Sequence, residues 1–125
     1  MYVTASMKNN NTEPNGVIMV TQTMLDKSII DANKTVQEYT KWHWDLDYAG
    51  IDAGEHFTVP MTHVQDDIQY VLNVKFYKSK GRGDKRISIE KLRNFAQAGD
   101  LVTLWVDKSK DESVAYIDIE HDPFG

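Results

Sequence analysis

The sequence has 125 residues, 41% apolar and 26% charged, with a net charge of −5, which fits a single domain able to bury a core. No run reaches the roughly 18 apolar residues of a membrane span, and Met1-Tyr2-Val3-Thr4-Ala5-Ser6 has neither the basic start nor the apolar stretch of a signal peptide. With no cysteine, disulfides and thiolate chemistry are excluded, so the expectation is a cytoplasmic protein with no membrane partner.

In chain order, residues 2–5 form a short strand candidate. Residues 8–15 form a polar loop with four asparagines, and Pro14-Asn15-Gly16 signals a turn. Val17-Ile18-Met19-Val20 is a continuous apolar run, as expected of a strand buried on both faces. Thr23 is the expected cap of a short helix reaching Ile30, and residues 31–35 read as loop. Alternation then predicts a strand in which Trp42, Trp44, Leu46 and Tyr48 face the core opposite His43, Asp45 and Asp47. Residues 49–54, with two glycines, make a turn, and residues 56–61 a strand placed at an edge by Pro60.

The longest predicted strand spans residues 68–78, with Ile68, Tyr70, Leu72, Val74 and Phe76 inward. A glycine-rich turn leads to the returning strand Arg86-Ile87-Ser88-Ile89. Residues 90–97 suit one or two helical turns before Gly99. Residues 101–106 form an apolar strand, and residues 114–120 alternate with Ala115, Ile117 and Ile119 inward. Seven or eight short strands with one or two short helices give a mainly β fold, an open antiparallel barrel or a sandwich.

Charge is segregated along the chain. Residues 75–93 hold eight of the fourteen Lys and Arg and only two acids, +6 against −11 for everything else. A polyanion responds to the local field rather than to the mean charge. The centre of this island, Lys78-Ser79-Lys80-Gly81-Arg82-Gly83-Asp84-Lys85-Arg86, reads as a glycine-jointed hairpin arm. Lys78, Lys80, Lys85 and Arg86 suit phosphates, and Arg82 or Arg86 suits a guanine edge. The plain alternative is a solvated hairpin tip whose lysines guard the strand edge. In the loop before Gly16, Asn side chains match the adenine major-groove edge, although asparagine is also a common turn filler.

Other constellations carry less. His43, Asp45 and Asp47, with His56 and His63 downstream, offer metal-ligand chemistry without a defining spacing, and a polar strand face accounts for them. The tryptophans suit core packing. No nucleophile elbow, phosphate loop or His-x-x-x-His is present, and Glu90 and Lys91 are adjacent rather than set one residue apart as in nuclease motifs. No catalytic residue, metal ligand or cofactor is expected.

Two segments together resemble the N-terminal effector DNA-binding domain of EcoRII-type restriction endonucleases, which has the plant B3-like DNA-binding pseudobarrel fold. The first, residues 3–25, has a strand, a polar arm with Asn10-Asn11-Thr12, the apolar run 17–20 and a short helix. The second, residues 70–106, passes from Lys75-Phe76-Tyr77-Lys78 through a basic turn to Arg86-Ile87-Ser88, similar to the family's Arg-Ile-Thr-like step. The resemblance covers about half the chain. Thr12 is followed by Glu13-Pro14 where the family often has Thr-Gly, and the acidic region 45–67 has no counterpart.

The resemblance implies a seven-stranded open barrel gripping duplex DNA from the major groove with two arms, and cleavage carried by a nuclease domain elsewhere in the parent protein. The first arm would use Ser6, Lys8, Asn9, Asn10, Asn11, Thr12 and Asn15. The second would use Lys78, Lys80, Arg82, Asp84, Lys85 and Arg86. Two other expectations stand beside this one. One is an inhibitor-like module, phage- or plasmid-encoded, whose acidic region 45–67 docks on a basic protein; the other is a small metal-dependent barrel using His43, Asp45, His56 or His63.

Overall fold

A computed structural model of the chain describes residues 13–109 and 112–122. Seven strands follow one another as β1 (Gly16–Met19), β2 (Ile30–Asp31), β3 (His56–Gln65), β4 (Ile68–Lys78), β5 (Lys85–Ile89), β6 (Leu101–Asp107) and β7 (Val114–Glu120). They form one sheet in the order β1-β6-β7-β3-β4-β5-β2. All pairings are antiparallel except β3 with β7, which meet in a parallel bridge at Thr62 and Tyr116. Helix α1 (Gln22–Lys27) lies between β1 and β2, and α2 (Lys34–Trp44) follows β2. The mainly β architecture expected from the alternation is the one observed.

The sheet curls into a half-barrel, and the connection after one edge strand is fastened to the other edge strand. Just past β2, Asn33 Nδ2 donates to Val17 O on β1 (2.8 Å), and Thr35 Oγ1 accepts from Val17 N (2.8 Å). The unpaired polar groups of an edge strand are thereby satisfied by side chains. Asn33 Oδ1 also caps α2 by accepting from Val36 N. The concave side is filled by Ile18, Val36, Tyr39, Met61, Leu72, Val74, Phe76, Ile87, Leu104 and Ile117, all nearly or fully buried.

Several expectations are corrected. Residues 42–44 end helix α2 and do not begin a strand: Val36, Tyr39 and Thr40 are its buried residues, at i, i+3 and i+4. Trp42, expected in the core, is 59% exposed, while Trp44 packs its ring 6.5 Å from that of Phe57. Trp105 is buried, but on the sheet face opposite Leu104, stacked on Tyr116. Strand β1 buries Gly16 and Ile18 on one face, while Val17 is half-buried and Met19 exposed on the other.

Pro60, expected at an edge, sits in β3 between β4 and β7. Its partner Asn73 turns its carbonyl to Glu90 N on the far side. The missing N–H of Pro60 therefore faces β7, where pairing is a single bridge. Thr21, not Thr23, caps α1, accepting from Met24 N. The expected loop 31–35 contains the end of β2 and the start of α2. Ile68 is exposed beside the hairpin turn, although it shares the parity of the core residues of β4. The strand expected at residues 2–5 lies outside the described residues.

Candidate nucleic-acid interface

The basic arm is the β4–β5 hairpin, and its turn has a defined internal structure. Ser79 N donates to Asp84 O (2.9 Å), Asp84 N to Ser79 Oγ (2.9 Å) and Gly83 N to Ser79 O (3.1 Å). Arg82 N reaches back to Lys80 O around Gly81, a three-residue turn. Gly81 and Gly83 have φ of 81° and 70°, a region that favours glycine, and a Cβ at either would meet open space. The glycines thus shape the tip, and neither has a neighbouring side chain packed against it.

The cations of the arm divide into two groups. Arg86 is held by the protein's own carboxylates: Nη2 donates to Asp84 Oδ2 (2.9 Å), and Nε lies 3.6 Å from Asp31 Oδ1, with the side chain 19% exposed. The expectation that Arg86 contacts DNA meets a guanidinium already committed, and Asp84 is its chief partner. Arg82 is 88% exposed and only 3.8 Å from Asp84. Lys85 Nζ donates to Gln37 Oε1 (3.3 Å), a neutral partner. Lys78 and Lys80 form no ion pair among the described residues.

Strand register places the base of the first arm beside the second. Gly16, opening β1, pairs with Leu104 near the end of β6, and Asp107 pairs with Val114 at the start of β7. β7 runs parallel to β3, whose first residue, His56, pairs with Tyr77; Lys78 then pairs with Lys85. The residues leading into β1 and the tip of the β4–β5 hairpin therefore leave the same end of the sheet. Asn15 is at that end. Ser6, Lys8, Asn9, Asn10, Asn11 and Thr12 lie outside the described residues. Pro14 O accepts from His43 Nε2 (2.9 Å), and Glu13 pairs with Lys108 (3.3 Å), tying the approach to β1 to the body.

The acidic region 45–67 is not one face. Asp45 is the left-handed C-cap of α2, and Asp47 accepts from Ala49 N at the start of a 3-10 turn over Tyr48–Gly50. Asp52 and Glu55 form a turn beside the basic arm, where Gly54 N donates to Lys78 O (3.1 Å) and Glu55 Oε1 accepts from Asp52 N (2.8 Å). Asp66 and Asp67 turn the β3–β4 hairpin at the opposite end, about 30 Å away at the usual strand rise.

The histidines are likewise dispersed. His43 lies on α2, and removal from water lowers its pKa, an effect the Pro14 carbonyl partly opposes. His63 is buried in edge contact with Phe95, its Nδ1 bonded to Ile117 O (3.0 Å). Among the described residues no three His, Asp or Glu side chains are grouped as metal ligands.

Sequence reading overlooked the outer face at the base of the arm. There Lys75 and Tyr77 project on the side opposite Val74 and Phe76, across from Thr58 and His56 on β3. The parity of β4 was visible in the sequence, but the pairing with His56 required the β3–β4 register. No protein-family model, no curated protein and no solved structure matches the chain.

Proposed function

We propose that the chain is a sequence-specific double-stranded DNA-binding domain, the target-recognition module of a restriction endonuclease, similar in plan to the EcoRII-type, B3-like pseudobarrel domains. The observation that carries this reading is the shared end of the sheet from which the Asn15 approach and the cationic β4–β5 hairpin both emerge. Two arms at one end of a rigid half-barrel suit a groove bounded by two phosphate rows. In this reading Lys78, Lys80 and Lys85 hold phosphates and Arg82 reaches a guanine edge. Arg86 and Asp84 set the shape of the arm. Cleavage belongs to a separate nuclease domain.

The test is a gel-shift selection from random duplex pools with a salt titration. Three phosphate-holding lysines predict a slope of log affinity against log salt of about −3. Arg82→Ala should weaken the selected site by on the order of 1–3 kcal/mol if it makes a bidentate base contact. An affinity indifferent to salt, or unchanged when Lys78, Lys80 and Arg82 are all replaced by Ala, rules the reading out.

A further inference from the structure

A cleft of about 200 Å3 opens on the outer face of the β3–β4 ribbon where the arm begins, lined by Gly54, His56, Lys75, Tyr77, Lys78 and Lys80 among others, with no carboxylate in its lining. Three lysines line this small space and no acid is among its lining residues, a local positive field that favours a bound anion. The groups are also positioned. The stem of Lys80 lies over Gly54, where a Cβ would meet its Cγ and Cε at 3.5 Å. Lys75 Nζ stands 5.1 Å from the centre of the Tyr77 ring, a cation–π contact that orients it. The bond from Gly54 N to Lys78 O fixes the turn against the strand. Glu55, next to Gly54, accepts from Asp52 N through Oε1 and forms no ion pair with these lysines among the described residues.

We infer that this cleft is a phosphate subsite, with Lys75, Lys78 and Lys80 as point-charge partners and His56 as a further donor to a tetrahedral oxyanion. None of Lys75, Tyr77 or His56 belongs to either recognition arm, so the site extends the contact surface from the hairpin tip onto the sheet. As a seat for a strand phosphate it rests on the DNA-binding reading above; as an anion site it stands alone. The phosphate belongs either to a nucleic-acid backbone or to a small phosphorylated molecule, and the two sources are separable.

The experiment is a two-dimensional amide NMR titration of the full chain with inorganic phosphate, and then with a short mixed-sequence DNA duplex. Phosphate should give saturable shifts at Gly54, His56, Tyr77, Ser79 and Lys80. The Lys75→Gln/Lys80→Gln variant should weaken that response by about tenfold per lost charge-assisted contact, while Lys27→Gln/Lys41→Gln leaves it unchanged. Shifts by duplex at the same amides assign the phosphate to a backbone. Phosphate shifts with no response to any duplex uphold the subsite as one for small phosphorylated molecules and remove the DNA-binding reading. Duplex shifts confined to the hairpin tip, with no phosphate response in the cleft, overturn the subsite and leave the DNA-binding reading standing. Phosphate shifts scattered over all surface lysines also overturn it.

Discussion

Arg86 shows how a charged residue in a basic arm can be structural. Its side chain is four-fifths buried, bonded to Asp84 and near Asp31, and its Nε has no hydrogen-bond partner of good geometry. Replacing it by Met removes the positive partner and leaves Asp84 without its short bond. Breaking a partly buried pair of this kind costs about 1–3 kcal/mol. Urea unfolding of Arg86→Met should show that loss as a lower midpoint with an unchanged slope. On the DNA-binding proposal, affinity per folded molecule should fall less than for Arg82→Ala, whose side chain is exposed.

The other residue-scale device is Asp100, buried immediately before β6. Burial works against its charge, but bonds from Gln97 N, His121 Nδ1 and Asp122 N outweigh that and hold its carboxyl below the usual carboxylate range. A depressed carboxylate contributes stability that is present above the unfolded pKa of about 3.9 and is lost as pH falls through the folded value. His43 acts earlier and in the same direction. Its pKa is lowered by burial, so the unfolded chain takes up its proton first, and stability declines as pH drops below about 6.5. Stability measured against pH should therefore fall in two stages on the acid side. Asp100→Asn should abolish the lower stage and cost about 1–3 kcal/mol at neutral pH; a lower stage that persists in this variant removes the assignment.

At the scale of elements, the arm depends on backbone conformations that only its glycines adopt freely. Gly81 and Gly83 both have positive φ, and neither has a neighbour that a methyl group would strike. Ala at either position therefore adds strain without a clash, costing about 1 kcal/mol. The expected outcome for Gly83→Ala is a modest loss in thermal midpoint together with faster hydrogen exchange at Ser79 and Asp84, whose amides close the turn. A variant with wild-type exchange there means that the tip relaxes elsewhere.

Elements whose side chains obey a single period were legible in the sequence. Strand β4 runs over residues 68–78 as the alternation predicts, and β7 likewise over 114–120. Helix α2 was not legible, because two periods overlap at its end. Trp42, Trp44, Leu46 and Tyr48 alternate as in a strand, although the first two belong to a helix, Leu46 to a left-handed turn exit and Tyr48 to a 3-10 turn. The true signal lay upstream, in Asn33 as a cap with Val36, Tyr39 and Thr40 at helical spacing. The candidate site divides the same way. Charge segregation marks the arm, but the pairing of Arg86 with Asp31 spans two strands far apart in sequence, and nothing local signals it.

At the scale of the whole molecule, the seven-stranded sheet stays curled although its two edge strands, β1 and β2, are not paired with each other. The only fastening among the described residues that joins the β1 edge to the connection leaving β2 is the Asn33 and Thr35 clasp on Val17. Val17 has both its backbone N–H and C=O satisfied by these side chains, so losing them leaves two edge groups to water or to another chain. Asn33→Ala/Thr35→Val should cost about 2–3 kcal/mol, counting the lost cap of α2 and two hydrogen bonds. More telling than the total is its distribution. Amides of β1 and α2 should lose exchange protection, while those of the β3–β4 hairpin keep theirs, because the ten-residue β3–β4 ladder is independent of the seam. The freed β1 edge should also make the variant self-associate with rising concentration, which sedimentation would detect. Unchanged protection of β1 and α2 in this variant would mean that curvature comes from the packed core alone.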